Sequence, residues 1–129
     1  IMVLSYNPGY QSIVKDLKES TKQRFASLVF DQPQVDIETE IIATESGLST
    51  AQSRRLAEMG ARIRELKGFG LEEGVSTRLL VYVGRLVKQG LSPLEACTCA
   101  ISHTLTDEEV VQTSIHDIVQ LFFGSLDEA

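Results

Sequence analysis

The sequence predicts a mainly α fold, in which a helical bundle follows a two-strand remnant of an α/β core. Three observations predict it. From residue 35 onward, apolar residues recur at helical three- and four-residue spacing. Those segments start on capping residues and mostly stop on glycine. Before Pro33 the apolar residues come as two short unbroken runs, Ile1–Tyr6 and Phe25–Phe30, which read as strands. A run this apolar normally has strand neighbours on both edges, and two strands do not make a stable sheet alone. The chain is therefore expected to be the C-terminal part of a larger protein, with its sheet partners elsewhere.

The elements follow in order. After the first strand, Asn7-Pro8-Gly9-Tyr10 is a turn by composition. Residues 12–19 read as a short helix or irregular chain, and Ser20 caps a short turn through Arg24. Asp31-Gln32-Pro33 ends the second strand, which places a domain boundary between residues 1–33 and 34–129. The first long helix is expected over about residues 35–46, with Ile37, Ile41 and Ile42 inward and Gly47 as its stop. A second opens on a capping box from Ser49 to Gln52 and buries Leu56, Met59, Ile63 and Leu66. Gly68 and Gly70 then open a loop. A third helix spans Thr77 to Gln89, with Leu79, Val83 and Leu86 on one face and Gly90 as stop. Ser92-Pro93-Leu94-Glu95 combines an N-cap, a proline at the first helical position and a glutamate in the first turn. The helix it starts carries Leu94, Cys97 and Ile101 inward. A fifth spans Asp107 to Phe123 with Val111, Ile115, Ile118 and Phe122 as its stripe. Gly124 ends it, and residues 126–129 are expected to fray.

Composition limits the function classes. The 129 residues suffice for one domain with a real core. The net charge is −6 without a basic run, which argues against nonspecific binding to nucleic acid or anionic membranes. Tryptophan is absent and aromatics are sparse, so base-stacking platforms are not expected. No apolar stretch approaches the roughly 18 to 20 residues of a membrane span. Cys97 and Cys99 point apart on a helix, and no second cysteine pair or histidine cluster completes a metal site. A reduced, cytoplasmic setting fits.

Several motifs bear on chemistry. Gly68-x-Gly70-x-x-x-Gly74 is one residue too long for a dinucleotide fingerprint and follows no strand, so it reads as a flexible loop. His103 and His116 stand far apart in sequence and read as surface or interface histidines. Glu72 and Glu73 are adjacent, so their side chains diverge like a solvated loop pair. Three other residues carry more. Arg78 follows the N-cap Ser76, in the first turn of a helix. A cation there faces the positive end of the helix dipole. An anion such as phosphate between the two would explain it, and so would a solvated arginine that tolerates a small cost. Asn7 lies just beyond the C-terminal end of the first strand, the edge where α/β sheets bind ligands, although Asn-Pro-Gly is also a plain turn former. Arg24 directly precedes the second strand and would project from the sheet's rim, either into a neighbouring subunit's phosphate site or into a surface ion pair.

Asn7, Arg24 and Arg78 come in the order strand–Asn, short helix–Arg–Phe–strand, then a helical bundle with a Ser-Thr-Arg helix start. In that order the chain resembles the second half of an AAA+ ATPase of the MoxR group, specifically the CbbQ/NirQ/NorQ family. The resemblance rests on Ser5-Tyr6-Asn7-Pro8-Gly9-Tyr10-Gln11, Ser20-Thr21-Lys22-Gln23-Arg24-Phe25, Phe30-Asp31 and the run from Leu71 to Tyr82. Leu91-Ser92-Pro93, Glu95-Ala96-Cys97 and Leu105-Thr106-Asp107 complete it, so that it covers roughly residues 2–123.

The resemblance implies that residues 34–129 are the helical AAA+ lid and residues 1–33 the end of the α/β nucleotide-binding core. It gives Asn7 the sensor 1 position, orienting the attacking water. It gives Arg24 the arginine-finger position, acting in trans, and Arg78 the sensor 2 position, reading the γ-phosphate of ATP in cis. It implies ATP and Mg2+ as cofactors of the full-length protein, a hexameric ring of self-copies, and a von Willebrand factor A-domain partner protein. It also implies a chaperone-like role on a client enzyme of the nitric oxide reductase (denitrification) or Rubisco type. The departure is that residues 1–129 contain neither a Walker A loop nor a Walker B motif. This chain is thus expected neither to hydrolyse ATP alone nor to bind nucleotide tightly. A stand-alone helical interaction module without nucleotide binding is the alternative, which the orphan N-terminal strand disfavours. A helix-turn-helix DNA binder built on residues 77–104 is disfavoured by the acidic charge.

Overall fold

The fold is that of a computed structural model, in which residues 1–5 and 19–124 are described. The chain divides into two compact units, Ile1–Asp31 and Gln32–Ala129. Among its described residues the first contains one short helix, α1 (Glu19–Lys22). Neither expected strand is found among the described residues: Ile1–Ser5 and Ala26–Phe30 have no regular structure, and their large apolar side chains are exposed. A strand is stabilised by the ladder it shares with a neighbour, and no described residue supplies that neighbour to either run.

Among its described residues the second unit has only helices for regular structure, apart from one isolated bridge between Lys67 and Leu71. Its long helices are α2 (Val35–Ser46), α3 (Thr50–Arg64), α4 (Thr77–Lys88) and, at the C-terminal end, α7 (Glu109–Phe123). Between α4 and α7 run α5 (Pro93–Cys97), a π-helical stretch (Thr98–Ser102) and α6 (His103–Leu105). Local chemistry sets the starts. The hydroxyls of Ser49, Ser76 and Ser92 accept hydrogen bonds from the backbone N–H groups of Gln52, Leu79 and Glu95. At α5 the box is closed, because the Glu95 carboxylate accepts from the Ser92 N–H at 3.2 Å. At α3 only the serine half of the expected box forms, and Gln52 meets the Ser49 hydroxyl instead. Gly47 ends α2 with φ +78°, a left-handed conformation that glycine adopts without strain.

Helix α2 packs on α3 and α4, α3 on α4 and α7, and α5 on α4 and α7. Leu56, Met59 and Ile63 of α3 meet Leu80 and Val83 of α4 and Ile115 and Val119 of α7 in one core. Leu71 and Val75 extend it from the loop before α4.

Three inward faces differ from those the pattern predicts. On α2, Ile37 and Ile41 are 53% and 36% exposed, while Glu38, Thr39, Ile42 and Ser46 are buried. On α4 the buried set is Leu80, Val81, Val83 and Gly84, and Leu79 and Leu86 are only partly covered. On α7, which begins at Glu109 rather than Asp107, Val119 and Phe123 go inside while Ile118 and Phe122 flank the core. In each case several apolar residues sit side by side, and contact with neighbouring helices picks the face.

Candidate functional site at the start of α4

The turn that carries Arg78 is built from the loop before α4 and the first residues of that helix. Leu71 and Val75 anchor the loop before it in the core. Ser76 is in extended conformation (φ −82°, ψ 156°), and its hydroxyl accepts the Leu79 N–H at 3.2 Å. Thr77 is the first helical residue, and Arg78 the second. Arg78 is exposed, and its side chain makes no hydrogen bond or ion pair among the described residues. It borders an open recess of about 520 Å³ whose other walls include Ile41, Glu45, Leu79, Tyr82 and Arg85. Glu45 is engaged there: its carboxylate lies 3.5 Å from Arg85 Nη2, and its carbonyl accepts from Arg85 Nε at 3.2 Å. The recess thus has an apolar wall from Ile41, Leu79 and Val81, the Glu45–Arg85 pair at its side, and the Arg78 guanidinium, unpaired among the described residues, at the N-terminal end of α4. That arrangement suits an anionic group carried on an apolar body.

Behind the turn lies a feature that pattern reading missed. Glu38 of α2 has no exposed surface. Its Oε2 accepts from Arg64 Nη1 at 2.9 Å, and its Oε1 from Arg64 Nη2 at 2.6 Å. Oε1 also accepts from the Thr77 hydroxyl at 2.8 Å. The third guanidinium nitrogen, Arg64 Nε, donates to the Val75 carbonyl at 2.8 Å. The loop lies close over the arginine stem, since a Cβ at Gly74 would come within 3.3 Å of Arg64 Cγ. A carboxylate can be held without water only when paired and fully hydrogen-bonded, and this one is. The single signal in the sequence was a glutamate at a position where the helical register of Val35, Ile42 and Ser46 needs an inward residue.

The other predicted residues stand as follows. Arg24 lies just after α1, exposed, with its backbone N–H on the Thr21 carbonyl at 3.1 Å. It belongs to the first unit and Arg78 to the second, and each is described within its own unit. Asn7 lies outside the described residues. Among the described residues no cluster of three or more histidine, cysteine or acidic side chains could hold a metal ion. His103 and His116 are exposed on separate helices. Gly68 and Gly70 take φ +89° and +100° in a tight loop closed by the Gly68 N–H on the Leu71 carbonyl at 3.2 Å. Among the described residues no helix is long and apolar enough to cross a membrane.

Comparison with known proteins places the chain in a family. The family model described as CbbQ/NirQ/NorQ C-terminal matches residues 38–122. The chain is 50% identical over 123 residues to protein CbbQ of Hydrogenophilus thermoluteolus, covering 95% of this chain and 46% of that protein. It is 45% identical over 124 residues to protein NorQ of Paracoccus denitrificans, covering 96% and 46%. It is 43% identical over 121 residues to the denitrification regulatory protein NirQ of Pseudomonas aeruginosa, covering 94% and 46%. The chain thus spans about half the length of the curated relatives it matches.

Proposed function

The chain belongs to the CbbQ/NirQ/NorQ family, and on that premise we propose that it serves as the lid and sensing portion of a MoxR-type AAA+ ATPase. The observation that carries this reading is the unpaired Arg78 in the first turn of α4, beside a recess with an apolar wall. A guanidinium that makes no ion pair among the described residues is available to a phosphate. The helix N-terminus adds N–H donors and dipole on the same side, so the lid binds the γ-phosphate while it is present and loosens when it leaves.

In the intact protein Arg78 reads the γ-phosphate of ATP in cis. Arg24 enters a neighbouring subunit's site in trans and stabilises charge developing on the transferred phosphoryl group, and Asn7 orients the attacking water. The phosphate-gripping loop and the magnesium ligands are supplied by residues outside 1–129. The working assembly is a cytoplasmic hexameric ring with ATP and Mg2+ at its subunit interfaces and a von Willebrand factor A-domain partner. Its output is the chaperone-like activation of a client enzyme. The name of the Pseudomonas relative points to denitrification as one setting, and Rubisco is the other.

The test is Arg78→Ala in the intact protein. Because Arg78 is exposed and unpaired, the substitution should leave the melting temperature unchanged. ATP turnover should fall by at least about tenfold, the loss expected when a phosphate-contacting arginine is removed. Unchanged turnover would overturn the reading.

A further inference from the structure

We propose that the buried triad Glu38–Arg64–Thr77 is a positioning device that aims Arg78, so that these three residues act on phosphate sensing through the turn they hold. The proposal rests on the sensor reading of Arg78 given above.

The argument starts from what a buried ion pair does. Taking a carboxylate and a guanidinium out of water costs nearly as much as their attraction returns, and an apolar replacement of the same size is often as stable. Bulk stability therefore does not account for this pair. Its best-attested use is to fix register, because a half-satisfied version is heavily penalised. Here the geometry shows what is fixed. Arg64 sits at the last position of α3, and Glu38 in the first turn of α2. Their fork leaves two bonds for the segment that leads into α4, one from Arg64 Nε to the Val75 carbonyl and one to Glu38 Oε1 from the Thr77 hydroxyl. These two residues flank the cap Ser76. The chain is thus clamped on both sides of the N-cap, one residue before Arg78. Three helices meet at this point, so a rotation of α4 about its start breaks bonds to a carboxylate that has no water to fall back on. A γ-phosphate sensor needs this, because a guanidinium displaced by about 1 Å loses much of its effect.

The triad and the sensor are therefore coupled, and a double-mutant cycle on the intact protein measures the coupling. Glu38→Ala is a poor probe, since it strands a charge and unfolds the turn. Thr77→Val removes one hydroxyl, keeps the shape, and leaves the Arg64 fork intact. It should stay folded by melting temperature and lower kcat/KM for ATP by about three- to tenfold, in the range of coupling seen for residues that touch neither ligand. Thr77→Ser, which keeps the hydroxyl, should restore most of the loss. In an Arg78→Ala background the same Thr77→Val change should alter kcat/KM less than about twofold, because the residue it acts through is gone. The proposal is overturned if Arg78→Ala impairs turnover while Thr77→Val does not. It is also overturned if Thr77→Val costs the same with and without Arg78, as a purely structural role would. If Arg78→Ala itself leaves turnover unchanged, the sensor reading has failed first and the aiming role fails with it.

Discussion

The guanidinium of Arg64 grips both carboxylate oxygens of Glu38, at 2.9 and 2.6 Å, across 26 positions of sequence. The pair is deeply buried, with Glu38 fully covered and the Arg64 side chain 14% exposed. That burial sets the sign of the first prediction. Glu38→Ala leaves a nearly buried cation alone, which costs about 3 to 5 kcal/mol of unfolding free energy. Changing both partners to apolar residues, Glu38→Leu with Arg64→Met, should return only part of that loss, because the Val75 carbonyl and the Thr77 hydroxyl lose their partners. Urea unfolding of this chain followed by circular dichroism measures both. The exposed pair between Arg54 and Asp36, at 2.9 Å, is the control. Its side chains are solvated, so Asp36→Asn should leave the unfolding midpoint where it was.

The closeness of α2 and α4 gives a second prediction. A Cβ built on Gly84 would lie 2.8 Å from both Cβ and Oγ of Ser46 and 3.4 Å from Leu48 Cδ1. Ser46 is not free to give way. Its hydroxyl donates to the Ile42 carbonyl and accepts from the Leu48 N–H at 3.2 Å, and its Cβ is tied to the backbone. Alanine gains up to about 1 kcal/mol of helix propensity over glycine, and overpacking costs about 1 to 3 kcal/mol. Gly84→Ala should therefore lower stability on balance. A rise in the urea midpoint would show that the two helices slide apart easily, and the close approach would then do nothing for the fold.

The existence and order of the helices were legible in the sequence, because caps and stops are local. Ser76 and Ser92 act through the next turn of the chain, and Gly47 through its own φ. The faces were less legible. Ile37 outweighs Glu38 on any hydrophobicity scale, yet the glutamate is buried and the isoleucine is not. The energy that reverses the order comes from Arg64, and nothing near Glu38 in sequence announces it. The two expected strands are not formed among the described residues for a related reason. Phe25–Phe30 has the composition of a strand, but a strand exists only with a partner, and composition carries no partner. The site divides the same way. Arg78 stands out in the sequence because its oddity is local to one helix start. The residues that hold its turn in place were missed because they converge from three helices.

The cysteines give the last prediction, in which burial sets both reactivity and pH dependence. Cys97 is buried, with its sulfur 3.8 Å from Met59 Sδ, and desolvation pushes its pKa up to about 12. Cys99 is exposed two residues on. A thiol reacts as its thiolate, so iodoacetamide at pH 8 should modify one cysteine in the folded chain and both after unfolding. Labelling of Cys97 in the folded chain would show that the α5 region opens. The same shift has a consequence for stability. The unfolded thiol titrates near 9.0 and the folded one near 12. Between those values the unfolded chain has lost its proton and the folded chain has kept it. The contribution is therefore complete below pH 9 and is lost as pH rises toward 12, with a slope of at most about 1.4 kcal/mol per pH unit. Tyrosines and lysines also titrate in this range, so the measurement is a difference. The gap in unfolding free energy between the natural chain and Cys97→Ala should be constant up to about pH 8.5 and then shrink. A gap that stayed constant to pH 10.5 would mean that the folded thiol titrates no higher than the unfolded one.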